Sequence, residues 1–394
     1  MLQAVSERLA ARGHSVSVLT FDAATQRDLG ASRGAGLPAR ELLNGVRVIR
    51  VDPSGGRWHR LFQWWLRQRG GYRSSRWLLG PDFEFHFARP SGFGLRRALH
   101  RLDADVVASV NWHFGAAHWA MKSSRRRGIP HVAVPILHIE RPWAQREIYA
   151  PMLAGCAAAI ALTGAEAGFL RARGARAVAV AGGGVDPQRY EQRDGAAARM
   201  RYGLGSQPIV GFVGRQDGLK GVIGLIDAMQ LVWREAPLTT LLLAGPRAHR
   251  DSGVVDRLKA LAPAERQRVL LIDDFADAEG PSIMAACDLL AQPSLEEAFG
   301  LVVVEAWMCE RPVIAADIAA SRSLIEPGVD GWLVPPGDTP ALAGKILDLL
   351  AHPGQRAEFG ARGRQKVLSR YTWDRVADVW EETFARVARP RGRP

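Results

Sequence analysis

The chain has 394 residues, 47% of them hydrophobic and 23% charged, which is ordinary globular composition with room for two domains. No apolar run approaches the ~18 residues a membrane span needs, and the start, Met1 to Leu9, carries Glu7 and Arg8 and does not read as a signal peptide. The net charge of +12 is uneven: residues 1–190 hold 27 Lys+Arg against 13 Asp+Glu (+14) and the remainder 25 against 27 (−2), so the first half calls for an acidic partner such as an anionic membrane, a phosphorylated acceptor or nucleic acid.

Val5–Arg12 reads as an amphipathic helix closed by Gly13, and Ser15–Thr20 as the strand after it. Val46–Val51 is another short strand. Between Gly55 and Pro90, Trp58, Leu61, Phe62, Trp65 and Leu66 fall at i, i+3, i+4, i+7 and i+8, while His59, Arg60, Arg67 and Arg69 occupy the other face. A basic amphipathic helix with tryptophans suits a membrane interface; the same stripe packs equally well on its own domain. Phe83, Phe85 and Phe87 alternate like a strand. Asp105–Val110 and His131–Ile136 read as buried parallel strands flanking a helix over Ala116–Arg127, and the second runs into Pro135-Ile136-Leu137-His138. Cys156–Thr163 is a further apolar strand, followed by a helix over Glu166–Arg173. Val178–Val180 then leads into Gly182-Gly183-Gly184-Val185-Asp186-Pro187. Residues 188–206, polar and rich in Ala and Arg, read as a linker.

From Ile209–Val213 onward strands and helices alternate at the period of a doubly wound sheet. The strands are Ile209–Val213, Thr240–Ala244, Val269–Ile272, Leu289–Gln292, Pro312–Ala315 and Gly331–Val334, and the first helix is Val222–Glu235. Helices fill the tail, the last over residues 372–390. Cys156, Cys287 and Cys309 lie far apart in apolar surroundings and read as buried thiols of a reducing compartment, without metal-ligand spacing.

Two constellations carry chemistry. In Pro293-Ser294-Leu295-Glu296-Glu297-Ala298-Phe299-Gly300-Leu301, a loop delivers two carboxylates and then a glycine that opens a helix, whose first free N–H groups welcome an anion. Glu305 follows two turns later, roughly 12 Å along the axis at 1.5 Å per residue, placed to accept hydrogen bonds from ribose hydroxyls. Gly214-Arg215 and Lys220-Gly221 put a bidentate fork and a point charge after the strand Ile209–Val213, a suitable pair for a diphosphate.

The Glu297-x7-Glu305 pattern with Phe299-Gly300 inside resembles the donor-site signature of family 4 of the retaining glycosyltransferases (glycosyl transferases group 1), and Arg215 with Lys220 resembles that family's diphosphate clamp. The resemblance covers nearly the whole chain and is best from Gly182 to Trp373. It implies an α/β protein of two Rossmann-like domains facing a cleft, the GT-B fold: an acceptor domain over residues 1–187, a linker over 188–206, a nucleotide-sugar domain over 207–371, and a final helix packing back on the first domain. The helix and strand around Gly13-His14 look like the second half of the family's first unit, so the first domain is expected to lack its first strand. The implied activity is transfer of a sugar from a nucleotide-diphospho-sugar to a hydroxyl acceptor (a glycan, a lipid-linked or a small-molecule glycoside) with retention.

In that reading Glu297 and His138 act on the sugar. Arg215, Lys220, Phe299, Gly300, Leu301 and Glu305 bind the donor. The nucleotide sugar is a substrate, and neither a metal nor another cofactor is called for. His113 competes with His138. Ser323 departs from the family where relatives often have Glu, as does Ala319-Ala320 where they have glycines. The expected setting is cytoplasmic, with peripheral contact to anionic membrane and no nucleic-acid partner. Two alternatives share the architecture: a non-catalytic GT-B protein binding an anionic partner, and a nucleotide-sugar 2-epimerase.

Overall fold

The computed structural model describes residues 1–23, 35–52, 93–112, 115–142, 144–145, 149–247 and 253–388; the Trp58–Arg69 stripe, the Phe83–Phe87 alternation and His113 lie outside them. The chain divides into two compact units, Met1–Ala181 with Val376–Pro394, and Gly182–Arg375. Among the described residues no helix is long and apolar enough to cross a membrane.

The first unit begins with α1 (Leu2–Ala11), which buries Val5 and Leu9. Strands β1 (Ser17–Phe21), β2 (Arg40–Leu43) and β3 (Val46–Val51) form a sheet of order β1-β3-β2, with β1 parallel and β2 antiparallel to β3. The hairpin between β2 and β3 turns on Asn44 (φ 46°) and Gly45 (φ 80°), the two left-handed positions of the tight turn that matches strand twist. Helix α2 (Phe93–Arg101) precedes β4 (Val107–Val110); α3 (Gly115–Arg126) precedes β5 (His131–Val134). Then come α4 (Tyr149–Ala154), β6 (Ala158–Ala161), α5 (Gly164–Ala172) and β7 (Val178–Val180). Strands β4 to β7 pair in chain order, all parallel. Every residue of β5 and β6 is buried, which is why β6 and, after His131, β5 read as apolar runs instead of alternating ones. Leu95 and Leu99 of α2 and Trp119 of α3 form a small core against Leu19, Phe21, Val51 and Val107, so the edges of both sheets share one apolar cluster.

The second unit holds the six-stranded parallel sheet that the alternation predicts. After α6 (Gly195–Arg201) come β8 (Ile209–Val213), α7 (Val222–Glu235), β9 (Thr240–Ala244), α8 (Val254–Lys259), α9 (Pro263–Arg266) and β10 (Val269–Ile272). These are followed by α10 (Gly280–Ala286), β11 (Leu289–Gln292), α11 (Leu301–Met308), β12 (Val313–Ala316), α12 (Ala319–Leu324), β13 (Gly331–Val334), α13 (Thr339–Ala351) and α14 (Pro353–Arg370). The strand order is β10-β9-β8-β11-β12-β13. It reverses between β8 and β11, which makes their carboxyl ends the topological switch point where such sheets hold ligands.

Two expectations about boundaries change. Residues 188–206 are part of the second unit rather than a linker. Helix α6 is capped by Asp194, whose carboxylate accepts the Ala197 N–H (2.8 Å), and Arg199 binds the Ala286 carbonyl (2.8 Å) and the Asp288 carboxylate (2.9 Å). The unit boundary also falls at Ala181/Gly182 instead of after 187, because Val185 exchanges backbone hydrogen bonds with Tyr371 (2.9 Å) and Trp373 (3.0 Å). The last helix, α15 (Trp373–Val387), joins the first unit from Val376 onward. There Arg12 pairs with Glu381 (2.6 Å) and Asp378 (2.8 Å).

Candidate active site

At the end of β8 the chain turns through Gly214 to a short 3-10 turn, Gly218–Lys220, capped by Asp217, whose carboxylate accepts the Lys220 N–H (2.9 Å). At the end of β11 it enters Pro293-Ser294. The two loops meet backbone to backbone. The Leu295 N–H donates to the Leu219 carbonyl (2.9 Å), and a Cβ on Gly221 (φ 72°) would stand 2.1 Å from the Pro293 carbonyl oxygen. Gly221 is therefore the residue that lets the two sequence motifs touch. It also caps the start of α7.

The side chains converge as well. Lys220 Nζ lies 2.6 Å from Glu297 Oε1, and the same oxygen accepts the Gln292 amide N–H (2.8 Å). Gln292 donates to Ser294 Oγ too (2.7 Å). The expectation assigns Lys220 to the phosphates and Glu297 to the sugar as separate contacts; the structure joins them in one largely buried ion pair, with side-chain exposures of 22% and 12%. Arg215 is more exposed and pairs with Asp217. Gln292 is absent from the sequence-based site, although its signal is there: it is the one polar residue closing the apolar strand Leu289-Leu290-Ala291.

Gly300 takes φ 95° and begins α11 without any side-chain cap, so the first amides of that helix have no partner within it. Leu301 is exposed beside them. Phe299, expected at the donor, is 6% exposed; its ring packs edge-on against Tyr371 (5.7 Å between centroids) and lies where a Cβ on Gly183 would come within 2.8 Å. Phe299 thus braces the loop from behind. Glu305 is half-buried one turn and more into α11. Burial pushes its carboxyl up to about 7, with Asp277 adding to the rise and Arg189 opposing it. Both neighbours come from segments that carry no motif, Arg189 from the stretch read as linker.

In the first unit His138 follows β5. Ile136 adopts φ 55°, a left-handed conformation that a β-branched residue rarely takes, and the turn is held by Glu166 of α5. His138 Nδ1 is buried and has no hydrogen-bond partner among the described residues. Burial raises the Glu166 carboxyl to about 7 against the pull of backbone N–H groups from Leu162, Leu137 and Ile136. Ser323 lies in α12 and donates to the Ala319 carbonyl (2.9 Å).

Residues 207–352 match the profile of the glycosyl transferases group 1 family, and residues 1–183 that of the glycosyl transferase 4-like domain. The D-inositol 3-phosphate glycosyltransferase of Segniliparus rotundus is 32% identical over 293 residues, 69% of this chain and 64% of that protein. Its counterpart in Salinispora tropica is 30% identical over 315 residues, 71% of this chain and 64% of that protein. The match thus spans just under two thirds of these relatives. Among solved structures, sucrose-phosphate synthase from Thermosynechococcus elongatus superposes with a TM-score of 0.74 at 22% identity, over 98% of this chain and 93% of that one. HepE of Anabaena, solved in complex with UDP-glucose, superposes with a TM-score of 0.64 at 25% identity, over 74% of this chain and 81% of that one. With both halves matched in order and the two parallel-sheet units in place, the chain belongs to the glycosyl transferases group 1 family and has the GT-B fold.

Proposed function

We propose that the chain is a retaining, family-4-type glycosyltransferase that moves a sugar from a nucleotide-diphospho-sugar to a hydroxyl acceptor. The observation that carries this reading is the convergence, at the β8/β11 switch point, of Lys220, Glu297 and the uncapped start of α11. Arg215, Lys220 and the amides of Leu301 and Val302 take the growing negative charge of the departing nucleoside diphosphate, which is electrostatic stabilisation where charge develops. On donor binding Lys220 turns from Glu297 to the phosphates, freeing Glu297 to accept sugar hydroxyls while Gln292 keeps it oriented. Glu305 accepts the ribose hydroxyls. His138, whose buried Nδ1 has no partner among the described residues, addresses the transferred sugar. In this reading the cationic side chains and amides do what a metal does elsewhere. The unit over Met1–Ala181 with the end of α15 is the acceptor domain and the unit over Gly182–Arg375 the donor domain.

The names of the relatives and of the HepE complex make a uridine-linked donor and D-inositol 3-phosphate the first substrates to try. A phosphorylated acceptor also suits a first half with 27 basic against 13 acidic residues. The three free, buried cysteines support a cytoplasmic setting, and the same charge supports peripheral contact with anionic membrane. The test is product analysis. Incubated with α-linked UDP-glucose and the acceptor, the protein should release UDP and yield an α-linked glycoside by anomeric proton NMR. A β-linked product overturns retention. Saturable nucleotide binding without release from UDP-, GDP- and ADP-sugars overturns the enzyme reading in favour of a binding protein, and sugar epimerised without acceptor favours the epimerase.

The ribose role of Glu305 carries its own pH signature. Hydroxyl donors favour the ionised carboxylate, so with a free-protein value near 7 the affinity for UDP rises with pH, by up to about tenfold per unit below that value, and levels off above it. Glu305→Gln should lose this slope. Because UDP itself titrates, the readout is the ratio of wild-type to variant affinity between pH 6 and 8 by calorimetry. Parallel curves would remove Glu305 from the ribose.

A further inference from the structure

Glu166 lies fully buried, 1% exposed, at the third position of α5. A glutamate there ordinarily closes its own helix start, but α5 already has its cap: Thr163 Oγ1 accepts the Glu166 N–H (3.0 Å). The carboxylate instead bridges two strand ends. Oε2 accepts the Leu162 N–H just after β6 (2.7 Å), and Oε1 accepts the Leu137 N–H just after β5 (2.9 Å). Burying a carboxylate costs several kcal/mol unless such donors compensate, so its place here calls for a purpose beyond capping. The turn it holds includes Ile136 at φ 55°, a conformation that persists only where neighbours impose it. Leu137 is gripped twice, through its N–H by Glu166 and through its side chain in the core formed by Trp112, Met152 and Leu153. The next residue is His138, whose buried Nδ1 has no partner among the described residues.

We propose that Glu166 is a positioning residue for His138: its carboxylate locks the left-handed turn at Ile136 and Leu137 and so fixes the direction in which the imidazole is presented. This rests on the reading of His138 as the group that addresses the transferred sugar. The deciding variant is Glu166→Asp. One methylene shorter, it still reaches Leu162 beside its own helix but not Leu137, so the unit folds while the clamp opens; Glu166→Gln, equal in length, serves as the second variant.

In the full-length protein, labelled with nitrogen-15, the imidazole signals of His138 are assigned by their loss in His138→Ala. In Glu166→Asp those signals should shift or broaden more than those of His131, which sits in β5 beside Cys156. Unmoved His138 signals, or equal displacement of His131 and His138, overturn the proposal. Turnover adds the functional arm, read as UDP release from UDP-glucose. Glu166→Asp should lower kcat about tenfold, one hydrogen bond's worth to a positioned group, with UDP affinity unchanged, and should add nothing in a His138→Ala background. A further loss in that background overturns the proposal alone. A His138→Ala variant with wild-type turnover overturns the role of His138 itself, and the proposal falls with it.

Discussion

Lys220→Ala should lower kcat/KM for the nucleotide sugar by about 10²-fold or more, the usual loss when one preorganised donor to a developing anion is removed. The geometry sharpens the reason. Lys220 stands 2.6 Å from Glu297, and the pair is largely buried, so the mutation both removes a cation from the phosphates and leaves an uncompensated carboxylate beside them. Glu297→Gln relieves that second effect, so the double variant Lys220→Ala/Glu297→Gln should bind UDP more tightly than Lys220→Ala alone. It should remain slow, because Glu297 is then lost to the sugar. Arg215→Ala should cost less, since its side chain is 56% exposed and its guanidinium already answers Asp217. Steady-state kinetics and UDP calorimetry on the four proteins separate these effects. Turnover near wild type in both Lys220→Ala and Arg215→Ala would falsify the diphosphate assignment.

Gly221→Ala should be strongly disruptive to the second unit. It forces a side chain into a left-handed conformation, at about 1–2 kcal/mol, and drives a Cβ to 2.1 Å from the Pro293 carbonyl, where relief by backbone movement costs a further 1–3 kcal/mol or so. At roughly 2–4 °C per kcal/mol for a unit of this size, the melting point should fall by about 5–15 °C. The more telling result is UDP affinity measured well below that melting point. Parting the loops moves Lys220 from Glu297, so binding should weaken even in folded protein. Gly224→Ala, on α7 with open space around its Cβ position, is the control and should leave UDP affinity unchanged and the melting point equal or slightly raised. If Gly221→Ala binds UDP like wild type, the contact between the loops does not build the site.

The six strands of the second unit were legible because each reads as an apolar run closed by a turn; the inner ones, of which Thr240–Ala244 is typical, are buried on both faces, and the edge strands β10 and β13 are partly exposed yet still apolar. Strand β2 was not, because Arg40-Glu41-Leu42-Leu43 is an exposed edge held by one neighbour, and only Asn44-Gly45 signals the hairpin. Helix α6 was missed because its anchor, Asp288, is 89 residues from Arg199. The donor loops were recognisable by residue type. Their internal wiring was not, since Lys220 and Glu297 are 77 residues apart and ion pairing over that distance leaves no local pattern. Phe299 shows the converse: within its motif it looks like a ligand contact, yet its surroundings are Gly183 and Tyr371, supplied by the two ends of the unit.

The three cysteines of this fold are all buried, and burial pushes each thiol up to about 12. A thiol reacts as its anion, so in the closed native state none of them meets an alkylating or disulfide reagent at an appreciable rate. Modification must wait for local opening. Cys156 sits between β5 and β6 of the first unit, whereas Cys287 and Cys309 flank β11 and α11 of the second. Labelling kinetics followed by peptide mass therefore time the breathing of each half separately in the unmodified protein, and a nucleotide that grips the β8 and β11 loops slows the pair in the second half while leaving Cys156 to its own rate.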